Sequence, residues 1–129
     1  MNGRRLLFDT HAFLWWMDRD DSRLPAGLFD KIQSAESEVY LSVIVAWEMA
    51  IKSSMGKLQS PHDVESAADH YGFEILPVLL PHATAVRDLP LHHRDPFDRM
   101  LIAQAQVEGL TLITTDPHMR RYDVPILGG

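Results

Sequence analysis

The stretch Leu6-Leu7-Phe8-Asp9-Thr10-His11-Ala12-Phe13-Leu14-Trp15-Trp16 decides the fold class of this chain. Three apolar residues read as a short buried strand, Asp9-Thr10 offers a helix cap, and Ala12, Phe13, Trp15 and Trp16 continue as a helix. The same alternation runs on. Pro25 opens a second helix carrying Leu28, Phe29 and Ile32, and the composition of 39–43 predicts a strand. A helix over 46–54 follows, stopped by Gly56. Ser60-Pro61 reads as a cap with proline in the first helical position, Gly72 ends that helix, and a third strand begins at 73–76. A short helix over 81–88 leads to a loop at 89–94. Asp95-Pro96-Phe97-Asp98 then opens a strongly apolar helix ending at Gly109, buried nearly all round. A fourth strand over 110–114, a short turn capped by Asp116-Pro117 and an edge strand over 124–127 complete the pattern. Strands alternating with helices, without tight hairpin signals, imply parallel pairing. The expected fold is α/β, a three-layer α/β/α sandwich around a mainly parallel sheet of four or five strands.

No repeat, linker or low-complexity segment interrupts the pattern, so residues 1–129 are expected to form one domain. A chain of 129 residues with 46% hydrophobic composition suits that size. There is no cysteine, which excludes disulfides, thiolate metal sites and cysteine nucleophiles, and the expected compartment is the cytoplasm. The start, Met1-Asn2-Gly3-Arg4-Arg5, is basic like a signal peptide, but Asp9 cuts its apolar run after three residues. No segment has the length to span a bilayer. The net charge of -6 argues against coating nucleic acid through general basicity. Local basicity remains: Lys52 and Lys57 follow Glu48, His92, His93, Arg94 and Arg99 surround Asp95 and Asp98, and Arg120-Arg121 follow Asp116.

Four acids stand beside apolar runs: Asp9, Glu48, Asp98 and Asp116. Asp9, Asp95 and Asp116 each resemble a helix N-cap, and Asp98 occupies a first turn where negative charge suits the helix dipole. Glu48 has no capping role. It interrupts an apolar helical face between Trp47 and Met49, and a buried glutamate requires a partner. In a parallel sheet, ligands gather outside the carboxyl ends of the strands, which brings Asp9 and Asp116 together with Glu48 and Asp98 at neighbouring helix starts. Carboxylates gathered there repel one another and lose hydration, and a divalent cation compensates both. An oxygen-only donor set favours Mg²⁺, with Mn²⁺ as substitute, over zinc. His11 and His118, each two residues from an acid, are expected to lie outside the ligand set. Phosphodiester hydrolysis is the reaction such a site suits. The chain has no Gly-rich phosphate loop, no G-x-S-x-G elbow and no H-E-x-x-H motif. A receiver-type phosphorylation domain is rejected, because no aspartate follows the third strand directly and no lysine occurs after Lys57.

Four motifs in order, Leu6 through Ala12, Ala46-Trp47-Glu48-Met49-Ala50-Ile51-Lys52, His92-His93-Arg94-Asp95-Pro96-Phe97-Asp98-Arg99 with Leu101-Ile102-Ala103-Gln104-Ala105, and Thr114-Thr115-Asp116, make the chain resemble PIN-domain nucleases. The closer likeness is to VapC-type toxins of toxin-antitoxin pairs, and it covers almost the whole chain. The resemblance implies a metal-dependent endoribonuclease whose Asp9, Glu48, Asp98 and Asp116 hold Mg²⁺ and perform catalysis. It implies supporting roles for Thr10, Asp95 and Thr115, and phosphate contacts for Lys52, Arg94 and Arg99. It further implies an RNA substrate, a homodimer and a cognate antitoxin. Two other readings stay open: a catalytically silent PIN-like binding module, and a DNA-directed nuclease with the same metal site. Surplus buried carboxylates count against the first, since they destabilise a domain with no cation to hold.

Overall fold

The computed structural model describes residues 4–128; Met1, Asn2 and Gly3 of the basic start, and Gly129, lie outside the described residues. Among the described residues, five strands form one sheet in the order β3-β2-β1-β4-β5, and every pair is parallel. They are β1 (Arg5–Phe8), β2 (Glu38–Ser42), β3 (Glu74–Leu76), β4 (Thr111–Ile113) and β5 (Ile126–Leu127). Among the described residues, six α-helices connect and cover them: α1 (Thr10–Met17), α2 (Leu28–Gln33), α3 (Val43–Ser54), α4 (Val64–Tyr71), α5 (Leu80–Val86) and α6 (Pro96–Glu108). The architecture is the three-layer α/β sandwich, with all five strands present.

The central strand is sequestered on both faces, with Leu6, Leu7 and Phe8 fully buried, as parallel sheets require. Leu6 lies opposite Val39 on one side and Thr111 on the other, and Phe8 opposite Ile113. The chain moves outward from β1 to β2 and β3, then returns across the sheet to β4. The direction of winding therefore reverses between β1 and β4, which opens a crevice at their carboxyl ends. Asp9 and Asp116 follow those two strands.

Three helix starts differ from expectation by more than one residue, and the second helix begins at Leu28 with Gly27 as its cap, not at Pro25. The third helix begins at Val43 rather than residue 46, because Ser42 leaves the strand as its cap, its hydroxyl accepting from Ile44 N at 3.0 Å and donating to Gln104 Oε1 at 2.6 Å. The fourth begins at Val64 with Asp63 as cap, not at Pro61. The last long helix ends where predicted, at Gly109, whose φ of 70° is the left-handed conformation that glycine adopts without strain. It is less enclosed than expected, since Gln106 and Val107 are exposed. Among the described residues, no helix is long and apolar enough to cross a membrane.

Candidate metal centre

Asp9 caps α1: its Oδ1 accepts from Ala12 N at 2.7 Å, and its own backbone N–H donates to Ile113 O at 3.1 Å, extending the β1–β4 ladder by one step. That bond fixes the spacing between the ends of the two strands. Beyond β4, the Thr114 hydroxyl accepts from Asp116 N at 3.0 Å, and Asp116 Oδ1 accepts from His118 N at 2.8 Å. Its other oxygen faces His93 Nε2 at 3.5 Å. Asp98, in the first turn of α6, accepts from the same Nε2 at 2.8 Å through Oδ2. Ligand atoms of His93, Asp98 and Asp116 all lie within 4.8 Å of one another. Next to them is a cavity of about 300 Å³ lined by Asp9, His11, Trp15, Thr115 and Asp116. A larger cavity of about 440 Å³ sits at the amino ends of β2 and β3, lined by Glu38, Val39, Phe73 and Glu74, and Asp9, Asp98 and Asp116 are not part of its lining.

Glu48 is placed differently from the expectation of a metal ligand. It is 2% exposed, and protein groups already compensate it: Thr10 Oγ1 donates to Oε1 at 2.6 Å and Lys52 Nζ to Oε2 at 2.5 Å. The i, i+4 spacing of Glu48 and Lys52 on one helix makes that pair. Glu48 is close enough to Asp9 and Asp98 for its charge to push both upward. Lys52 is held protonated more firmly than usual, first by Glu48 and further by the charges of Asp95 and Asp98. Asp95 caps α6, Oδ1 accepting from Phe97 N at 2.8 Å and Asp98 N at 3.0 Å.

Two supporting assignments change. The hydroxyl that bonds Asp9 belongs to the fully buried Thr114 rather than to Thr115, which only lines the cavity. Arg99 is spent on the protein, donating to the carbonyls of Val86, Leu89, Pro90 and His93 and to the Tyr122 hydroxyl. Both of its terminal nitrogens are engaged by these protein acceptors. Arg94 is exposed. His93 was missed as a site residue, because in the sequence it reads as one of several basic residues near Asp95. The available signal was its place in the loop that directly precedes the capped helix start carrying Asp98.

Residues 6–125 match the PIN domain family model. The chain belongs to the PIN-domain family. The PIN fold is shared by VapBC2 from Rickettsia felis bound to a promoter DNA fragment, at 14% identity, 95% coverage of this chain, 97% of that chain and a TM-score of 0.70. It is shared also by DNA-bound VapBC from Salmonella typhimurium (15%, 96%, 97%, 0.67) and by FitAcB from Neisseria gonorrhoeae (19%, 95%, 96%, 0.61). No curated protein matches the sequence.

The electrostatics of this PIN domain suit a dication. Burial pushes Asp9 up to about 6, with the charges of Asp116 and Glu48 adding to it, against opposing hydrogen bonds from Thr114 and the Ala12 backbone. Burial, then the charge of Asp95, push Asp98 up to about 7; Asp9 and Glu48 add to this and the His93 hydrogen bond opposes it. Both groups thus hold protons in the folded chain that they release at about 3.8 when free. Two aspartates and an imidazole at this spacing, with a third aspartate beside them, fit a divalent ion.

A pH dependence follows. Since the folded values lie above the free ones, the two groups favour the fold fully below pH 4 and withdraw that contribution as pH rises through 6 and 7. In EDTA, the stability that Asp9 and Asp98 confer is expected to fall by about 4 kcal/mol between pH 5 and pH 8. Saturating Mg²⁺ or Mn²⁺ should raise the melting temperature by several degrees more at pH 8 than at pH 5. Calorimetry at the two pH values checks this, and equal metal-induced shifts would contradict it.

Proposed function

We propose that this PIN-domain protein is a metal-dependent endoribonuclease, the toxin of a VapBC-type toxin-antitoxin pair. The observation that carries the reading is the convergence of Asp98, Asp116 and His93 beside Asp9, at the crevice where the winding of the sheet reverses. Asp98, Asp116 and Asp9 are the residues that would hold Mg²⁺ or Mn²⁺, with His93 between two of them. Bound there, the cation would acidify water and neutralise charge developing on a phosphate.

The remaining roles belong to side chains of this chain. Thr10 and Lys52 fix the Glu48 carboxylate, which keeps negative potential close to Asp9 and Asp98. The Lys52 side chain, 35% exposed, offers its ammonium to a substrate phosphate, and exposed Arg94 offers a second charge from the loop before α6. Such contacts position a nucleic acid without reading its bases. A cognate antitoxin, a homodimer and a cytoplasmic setting belong to the same reading; VapBC and FitAB complexes share the fold.

The test is incubation of purified protein with single-stranded RNA and matched DNA in Mg²⁺, Mn²⁺ or EDTA. RNA is expected to be cut with either metal, to survive in EDTA, and the DNA to stay intact. Cleavage of DNA alone would turn the proposal to a DNA-directed enzyme. Silence on both substrates, with metal binding verified by calorimetry, would favour a binding module and overturn it.

A further inference from the structure

The cavity beside the acids has two unlike kinds of lining: the carboxylates of Asp9 and Asp116, and the ring-bearing residues His11 and Trp15, with Thr115 completing it. These two rings sit at i and i+4 on α1, so they share one helix face, and they lie 5.7 Å apart at an interplanar angle of 30°. The Arg23 guanidinium lies 5.6 Å from the centre of the Trp15 ring. Three planar groups, His11, Trp15 and Arg23, are thus neighbours in turn. His11 is exposed and Trp15 only partly buried, although a tryptophan on this helix can be fully enclosed, as its neighbour Trp16 is. Packing of Trp15 against the core does not account for the exposed His11 ring beside it in the same cavity.

Flat rings beside a charged site are how proteins hold unpaired nucleobases: every base has a π face, so stacking tolerates sequence and requires a single strand. A cavity of about 300 Å³ is at the small end of those that hold organic ligands. The lining also fits a nucleotide, with the phosphate at the cation cluster and its attached base against the rings. We propose that the cavity lined by Asp9, Asp116, His11 and Trp15 is a nucleobase subsite, which stacks the base of a nucleotide adjoining the scissile phosphate and so selects single-stranded substrate. The inference rests on the nuclease reading and deepens it.

The experiment is steady-state cleavage of a single-stranded RNA oligonucleotide by wild type, Trp15→Ala, Trp15→Phe and His11→Ala in Mg²⁺. It is repeated with oligonucleotides carrying one abasic residue on either side of the cut. Trp15→Ala is expected to raise KM roughly tenfold with kcat within about threefold of wild type. Trp15→Phe should restore most of the loss, and an abasic residue at the stacked position should erase the difference between wild type and Trp15→Ala. Since Trp15 also packs against the core, the exposed His11→Ala provides a second variant that leaves the core alone, expected to raise KM about threefold. Wild type active but KM unchanged in His11→Ala and in a folded Trp15→Ala overturns the subsite alone. An equal penalty on intact and abasic RNA does the same. An arginine-bearing peptide whose competition depends on Trp15 while KM for RNA does not would assign the rings to a protein partner and overturn the proposal. A wild type that cuts no RNA under any metal removes the nuclease reading, and the subsite with it.

Discussion

Asp98→Asn is expected to lower RNA turnover by roughly a thousandfold at neutral pH while raising the melting temperature measured in EDTA. The two effects have one cause. Burial and the charge of Asp95 make ionised Asp98 unfavourable in the folded chain, holding it up to about 7. Asparagine removes that charge. It keeps the local geometry, because an amide oxygen still accepts from His93 Nε2, and the Asp95 cap reaches the backbone N–H of residue 98 rather than its side chain. The same change removes one of the two carboxylates that share His93 with a candidate cation, so charge stabilisation at the phosphate is lost. Activity and stability should therefore move in opposite directions, as expected where a site stores unfavourable charge for function. Cleavage assays paired with thermal melts in EDTA check both. Undiminished cleavage, or a melting temperature that falls, would remove Asp98 from the site.

Much of this was legible from local chemistry. The strand and helix signals around Asp9 were strong because three buried apolar residues, a capping aspartate and a helical run agree with one another. The helix from Pro96 to Gly109 was bounded by a cap, a first-position proline and a C-terminal glycine, all of which the structure uses. The start of α3 was misplaced because Val43 and Ile44 have strand-like side chains, and only the tertiary bond from Ser42 to Gln104, 62 residues away, shows where the strand ends. The role of Glu48 divided the same way. Its need for a partner was evident from its place on an apolar face, and the partner four residues along was available in the sequence as Lys52. That Thr10 also reaches it depends on how α1 and α3 meet. His93 was hidden for a similar reason: its value lies in facing Asp98 and Asp116 at once, from a loop whose path the sequence does not specify.

That path is governed by Arg99, and Arg99→Ala is expected to destabilise the protein by about 4 kcal/mol, several hydrogen bonds from a charged donor being lost together. Nη1 donates to Pro90 O at 3.0 Å, His93 O at 3.3 Å and Tyr122 Oη at 3.2 Å, and Nη2 to Val86 O at 3.2 Å and Leu89 O at 3.4 Å. The Tyr122 hydroxyl completes the knot, donating to Pro90 O and accepting from the backbone N–H groups of His92 and His93. One guanidinium thus gathers the turn after α5 and presents His93 to the acids. Lysine cannot replace it, since a single ammonium lacks the planar fork that reaches several carbonyls, so Arg99→Lys should recover little. A phosphate contact predicts something else: nearly unchanged melting and a salt dependence of RNA affinity shallower by about one counterion. Urea denaturation alongside a salt titration of RNA binding separates the two. A large stability loss with an unaltered salt slope is the expected result, and it makes His93 a residue whose position, rather than its mere presence, the fold maintains.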